Sequence, residues 1–167
     1  TADYDLKAQL LQLGGVKQVG IGPAIVYPAK GLLAIQKDGQ FKPFVGARAL
    51  LDPDNKRHVL SDLQVSEANA DGWKGEATYL LPRASGDSTK IKMRNFAFME
   101  EAATAKKAAE KYIQAEAVLS EKVPLELSAH QQFKGEIFFK SNQEFLNFKG
   151  FIRPVIGLRS EERRVGK

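Results

Sequence analysis

Apolar residues along this chain fall in short runs bounded by Gly, Pro, Asp and Asn, the punctuation of strands joined by turns. Residues 16–21, 24–27 and 32–36 are rich in Val, Ile and Leu, and Gly22, Pro23, Pro28 and Gly31 separate them. The run 44–51 leads into Asp52, Pro53, Asp54 and Asn55, where Pro presets φ and the Asx side chains bond their own backbone, so a hairpin to 58–65 is predicted. Asp71 and Gly72 offer the positive φ that a tight turn needs. Residues 75–81 and 90–98 flank an 82–89 linker rich in Ser, Gly and Asp, the clearest hairpin of the chain. Residues 133–140 and 145–152 form a last hairpin around Ser141, Asn142 and Gln143. In its second strand Leu146, Phe148, Gly150 and Ile152 alternate with Asn147, Lys149 and Arg153, while Phe145 and Phe151 interrupt the polar face, which predicts partial cover on both sides.

Two stretches break this pattern. Residues 3–13 place Leu6, Leu10 and Leu13 at helical spacing ahead of Gly14 and Gly15, a stop signal, and predict a short helix. Residues 100–111 change to Ala, Glu and Lys, with Ala102, Ala105 and Ala109 able to share a helix face, although an extended crossing also fits. Residues 125–128 return to strand, and 113–119 read either as strand or as a continuation of that helix. The expected fold is therefore mainly β: antiparallel hairpins in a sandwich or stacked-sheet arrangement with one or two short helices. Its expected organisation is a helix and linker over 1–15, a β-rich module over 16–158 divisible into units at 16–99 and 112–158, and a tail at 159–167.

Composition sharpens this picture. With 167 residues, 43% of them hydrophobic and ten of them Phe, the chain can close a core. Six of those Phe lie between Phe133 and Phe151, so the densest packing is expected at that end. No run approaches the roughly 18 apolar residues of a membrane span, and no direct membrane insertion is expected. The absence of Cys removes disulfides, thiolate nucleophiles and Cys-ligated zinc together.

The nine residues Arg159, Ser160, Glu161, Glu162, Arg163, Arg164, Val165, Gly166 and Lys167 read as the translation of a common short-read sequencing adapter. With a start at Thr1, both ends are expected to be cuts in a longer protein. The tail also inflates the formal charge of +5: without its four basic and two acidic residues, 21 basic and 18 acidic residues leave +3. That surplus is ordinary, and no nucleic-acid partner is expected. Lys90, Lys92 and Arg94 stand at alternate positions and share one face of a strand, where a solvated face that discourages edge pairing explains them.

Candidate chemistry is sparse. Gly20 and Gly22 lack the following helix and the Lys-Ser/Thr of a phosphate loop, since Pro23 intervenes. His58 and His130 are 72 residues apart without Cys or a second His nearby, which suits hydrogen-bonded structural residues better than zinc ligands. Asp52, Asp54 and Asn55 lack the central Gly and distal Glu of a calcium loop. Glu76, Glu100, Glu136 and Glu144 show no spacing that singles out a catalytic pair. Ser61, Ser85, Ser120 and Ser128 have no nucleophile-elbow context. No catalytic residue, metal or cofactor is therefore expected. Phe145, Lys149, Phe151 and Arg153, with Phe148 beside them, interleave aromatic and basic groups and form the candidate ligand-binding surface, able to stack and neutralise a single-stranded nucleic acid or a sugar chain, although core packing explains most of those Phe.

Tyr27-Pro28 followed by Gly31, then Gly75-Glu-Ala-Thr-Tyr79, Phe133-Lys-Gly-Glu-Ile137 and Phe145-Leu-Asn-Phe-Lys-Gly150, stand in an order that resembles the recurring phrases of very long, functionally uncharacterised envelope-associated proteins of Bacteroidetes-type bacteria. The resemblance covers roughly Val16 to Pro154 and departs from the pattern at 100–111. It implies a β-rich segment of a longer secreted or periplasmic chain and brings no catalytic residues with it. A structural or assembly module partnered by neighbouring β modules of the same parent chain is the expected function, with a glycan- or polymer-binding module as the alternative.

Overall fold

Every strand pairing among the described residues is antiparallel. The computed structural model describes residues 1–51, 58–83, 86–103, 109–120, 124–128 and 130–155. The strands are β1 (Ala2–Asp5), β2 (Leu10–Gly14), β3 (Val19–Ile21), β4 (Ala24–Tyr27), β5 (Leu32–Gln36), β6 (Phe44–Leu50), β7 (Val59–Ala68), β8 (Trp73–Pro82), β9 (Ser88–Glu101), β10 (Glu110–Leu119), β11 (Leu125–Ser128), β12 (Gln131–Lys140) and β13 (Asn147–Pro154). One 3-10 turn, Ala29–Gly31, is the single helical element among them. Among the described residues no helix is long and apolar enough to cross a membrane.

β1, β2 and β5 form a three-stranded sheet, and the other ten strands form a meander that runs β3-β4-β6-β7-β8-β9-β10-β12. Gly135 of β12 pairs with Leu119 of β10 on one side and Gly150 of β13 on the other, whereas Phe133 pairs with Leu125 of β11 and Ile152 of β13. β10 and β11 therefore share one flank of β12, and β13 is the outer strand. Phe41 ties the two sheets together, bridging Ile35 of β5 and Ala68 of β7.

Alternation sets the inner face, as the strand pattern predicts. Leu60, Leu63 and Val65, then Ala77 and Tyr79, then Ile91 and Met93, then Ile113, Ala115 and Ala117, and finally Ile137 and Phe139 are all buried in one contiguous core. Each fully buried large aliphatic side chain contributes about 1.5–3 kcal/mol. Lys90, Lys92 and Arg94 point outward, as expected.

This sheet covers its own apolar face. Neighbouring strands stand about 4.8 Å apart, so β8 and β12, three places apart, would lie about 14 Å apart in a flat sheet. Yet the Tyr79 and Phe139 rings are 5.5 Å apart, and His58, at the head of β7, is 5.0 Å from Phe139. Farther along, the Phe98 ring of β9 lies against Gly22 in the β3–β4 turn, five places away. The meander is rolled, and its halves face each other like the layers of a sandwich.

The helix expected at 3–13 is instead the β1–β2 hairpin. Asp5 Oδ1 accepts from the Lys7 and Ala8 backbone N–H groups at 2.9 and 3.0 Å, a local bond that competes with helix, and β2 gains a full ladder to β5. Leu6, meant for the buried helix face, sits in the turn 81% exposed. The helix expected at 100–111 is contradicted at both ends, where β9 runs to Glu101 and β10 starts at Glu110, in register Glu110↔Glu101 and Lys111↔Glu100. The Ala-rich middle, 104–108, lies outside the described residues, as do the Asp52 to Asn55 turn and the whole 159–167 tail. Strand pairing of the flanks outweighs an intrinsic propensity of a few tenths of a kcal/mol per residue, about 0–0.7.

The Phe-rich end also differs from expectation. Phe133 and Phe139 are core, but Phe145, Phe148 and Phe151 are exposed, and all eight residues of β13 are exposed. β13 is held through a close approach of two glycines: a Cβ on Gly150 would run into the Lys134 carbonyl and lie 2.9 Å from both Gly135 Cα and the Phe133 ring. Gly150→Val is expected to cost about 1–3 kcal/mol in urea unfolding and to raise amide exchange selectively over Asn147–Pro154.

Candidate functional site

The residues proposed from sequence as a ligand surface lie on and beside β13. In register with β12, Lys149 stands opposite Glu136, Phe151 opposite Lys134 and Arg153 opposite Gln132, all on the outer face. The Lys149 ammonium lies 3.4 Å from the Glu136 carboxylate, an exposed pair worth about 0–1 kcal/mol. Lys134 Nζ sits 5.9 Å from the Phe151 ring centroid, within cation–π range. Phe145 precedes the strand, in the turn after β12, because the strand begins at Asn147 rather than at 145. The structure thus brings Lys149, Phe151 and Arg153 together on one face and leaves Phe145 at their margin. Phe145 and Phe151 are 73% and 62% exposed.

The other face of β13 continues the core. Phe148 pairs with buried Ile137, and Ile152 with buried Phe133, and the Phe148 ring meets Phe133 edge-on at 5.2 Å. Phe148 and Ile152 are nevertheless 44% and 57% exposed. The Val155 N–H donates to the His130 carbonyl at 2.8 Å, so by alternation the backbone groups of Arg153, Phe151, Lys149 and Asn147 face β12. Those of Phe148, Gly150 and Ile152 face outward. Pro154, which has no N–H to offer, falls on this open side, where a strand proline is tolerated.

A second cluster is internal. His58 is 1% exposed, with Nε2 2.7 Å from the Gln143 carbonyl and Nδ1 2.9 Å from the Tyr79 hydroxyl. A carbonyl only accepts, so Nε2 carries the proton and donates; in the neutral ring Nδ1 accepts from the Tyr79 O–H. Burial pushes the Tyr79 hydroxyl above its ordinary 10.0. This arrangement fastens the β12–β13 turn to the head of β7, and it places His58 as a hydrogen-bonded core residue.

A third feature had no forerunner in the sequence reading. At the β7–β8 turn, Trp73, Phe96 and Phe98 line a concavity of about 440 Å³ rimmed by Gln40, Asn69 and Asp71. Trp73 packs on Phe96 at 5.8 Å and meets Phe98 edge-on at 5.0 Å. It is 3% exposed, and its Nε1–H has no acceptor among the described residues. A buried donor left unpaired costs about 1–3 kcal/mol. A second concavity, of about 320 Å³, adjoins it and shares Asp71 and Phe98; Met99 and Tyr112 line its far side. The only hints in the sequence were a lone Trp directly after Asp71-Gly72 and two Phe spaced to share a strand face.

Among the described residues no three His, Asp or Glu side chains gather closely enough to hold a metal ion. No family model, curated protein or solved structure matches the chain.

The Tyr79 shift has a defined consequence for stability. An unfolded Tyr ionises near 10.0, while folded Tyr79 keeps its proton to higher pH, so ionisation favours the unfolded chain as pH rises past 10.0. Tyr79→Phe is expected to lower stability by about 1–2 kcal/mol at neutral pH by removing its buried hydrogen bond to His58 Nδ1. The same variant should lose less stability than wild type between about pH 9 and 11, measured by urea titration at each pH.

Proposed function

We propose that this chain is a non-catalytic structural or assembly module of a larger secreted or periplasmic envelope protein, and that a neighbouring β unit of the same parent protein adds to it along the open edge of β13. The observation that carries this reading is the combination at that edge of backbone groups at Phe148, Gly150 and Ile152 that are unpaired among the described residues with an apolar rim, Phe148 and Ile152, continuous with the core. A strand laid there gains main-chain hydrogen bonds and buries apolar surface at once. A long exposed edge with apolar side chains is otherwise an aggregation liability, which proteins blunt or cover. The resemblance to very long envelope proteins supports the location and the partner, since it implies further β modules in series.

In isolation the chain should satisfy this edge with a second copy. Sedimentation velocity at concentrations up to about 0.5 mM should show reversible association, weak on the scale of 1 mM ↔ −4.1 kcal/mol. Ile152→Pro, which removes an outward N–H without touching the β12 ladder, and Phe148→Lys, which charges the rim, should each return it to monomer with the circular dichroism spectrum unchanged. A wild-type chain that stays monomeric over that range, or association indifferent to both substitutions, would count against the proposal.

A further inference from the structure

The two adjoining concavities at the β7–β8 turn form one furrow, and we propose that it binds a neutral glycan chain. The site is distinct from the β13 edge and does not depend on its role in assembly. Three features point to this class of ligand. The lining is aromatic, with half-buried Phe98 in both concavities and half-buried Tyr112 in the second, backed by buried Trp73 and Phe96, and sugar rings offer apolar C–H faces to such surfaces. The rim is made of groups that pair with hydroxyls. Asn69 Oδ1 accepts from the Asp71 and Gly72 backbone N–H groups at 2.9 Å each, which leaves the Asn69 amide NH₂ as a donor, and the Asp71 carboxylate, shared by both concavities, is an acceptor. Finally, the charges nearly cancel. Lys74 and Glu67 pair at 2.7 Å, and Glu100 stands opposite Lys111 in the β9–β10 ladder, so Asp71 is the surplus charge. A polyanion is disfavoured by that sign, and a neutral polyol is not.

The orphaned Trp73 Nε1–H gives the furrow an anchor. It is a donor without an acceptor among the described residues, on a side chain that lines the cavity, and a sugar hydroxyl or ring oxygen reaching it would supply one. Phe98, half-buried, lines both concavities and lies against Gly72 and Gly22. The shared Asp71 and Phe98 make the furrow continuous, which favours an extended chain over a single sugar.

Trp73 is the only tryptophan in the protein, so its indole N–H resonance reports on this site alone. Full-length chain labelled with nitrogen-15 would be titrated with neutral gluco- and manno-configured oligosaccharides, from disaccharide to hexasaccharide. The expected result is a saturable shift of the Trp73 indole resonance, with the hexasaccharide binding about tenfold tighter than the disaccharide because it spans both halves. Asp71→Asn and Tyr112→Ala should each weaken binding about tenfold at unchanged melting temperature, while Ile152→Pro should leave it intact. The proposal is overturned by an unmoved Trp73 resonance at about 10 mM of every oligosaccharide, by shifts indifferent to both furrow substitutions, or by a preference for an anionic oligosaccharide of the same length.

Discussion

An antiparallel sheet with one apolar face and, among the described residues, no helix to lay against it has to cover that face with itself. Every other feature of this molecule follows from that requirement. The meander bends until β8 meets β12 across the interior, with Tyr79 and Phe139 5.5 Å apart, and until Phe98 reaches the β3–β4 turn. The inner residues show how the bend is accommodated. Small side chains stand on β6, with Ala47 and Ala49, and on β10, with Ala115 and Ala117, all nearly inaccessible to solvent. Large ones stand on β8, β9 and β12, where Tyr79, Met93, Phe96 and Phe139 fill the enclosed volume. Such alternation of small and large inward residues is how rolled sheets fill their taper.

Polar contacts fix where the roll stops. His58 spends two hydrogen bonds inside the core, one to Tyr79 and one to the Gln143 carbonyl, and so joins residues 85 positions apart in sequence. Close by, Ile113 N–H donates to Ser141 Oγ at 2.9 Å and Ser141 N–H donates to the Ile113 carbonyl at 2.8 Å. The turn that launches β13 is thus tied to β7 and to β10 before the strand begins. Hydrophobic burial is non-directional and would tolerate several degrees of curl; these bonds are directional and select one.

Strand positions were legible because the signal for them is local. Gly and Pro between Val- and Ile-rich runs mark turns by backbone chemistry alone, and β4, β5 and β11 fall at 24–27, 32–36 and 125–128, where the pattern put them. The two helices were misread because three leucines at helical spacing also suit a hairpin, and whether Leu10 belongs to helix or strand is decided by β5, more than twenty residues away. Likewise, the run of Phe between 133 and 151 signals apolar surface but not whether a neighbour covers it; only the register shows that Phe148 and Ile152 lie on the outermost paired strand. The furrow was hidden for the same reason. Trp73 and Tyr112 are 39 residues apart, and they come to one end of the sheet only once β8, β9 and β10 are laid side by side.

The two edges of the meander differ in a way that bears on what can join it. β3 has three residues with Gly20 at its centre, short enough to attract no partner. β13 has eight, carries its apolar rim toward the interior side and is interrupted only at its end by Pro154. A strand added to β13 would therefore prolong the same rolled face rather than begin a new one, and Phe148 and Ile152 would become interior residues without moving. Recognition there is mostly main-chain and tolerates many partner sequences. The furrow depends on side chains from a turn and three strands, so it is selective where the edge is permissive. In the proposed roles the fold would join its neighbours through backbone at β13 and read a ligand through side chains at Trp73 and Asp71.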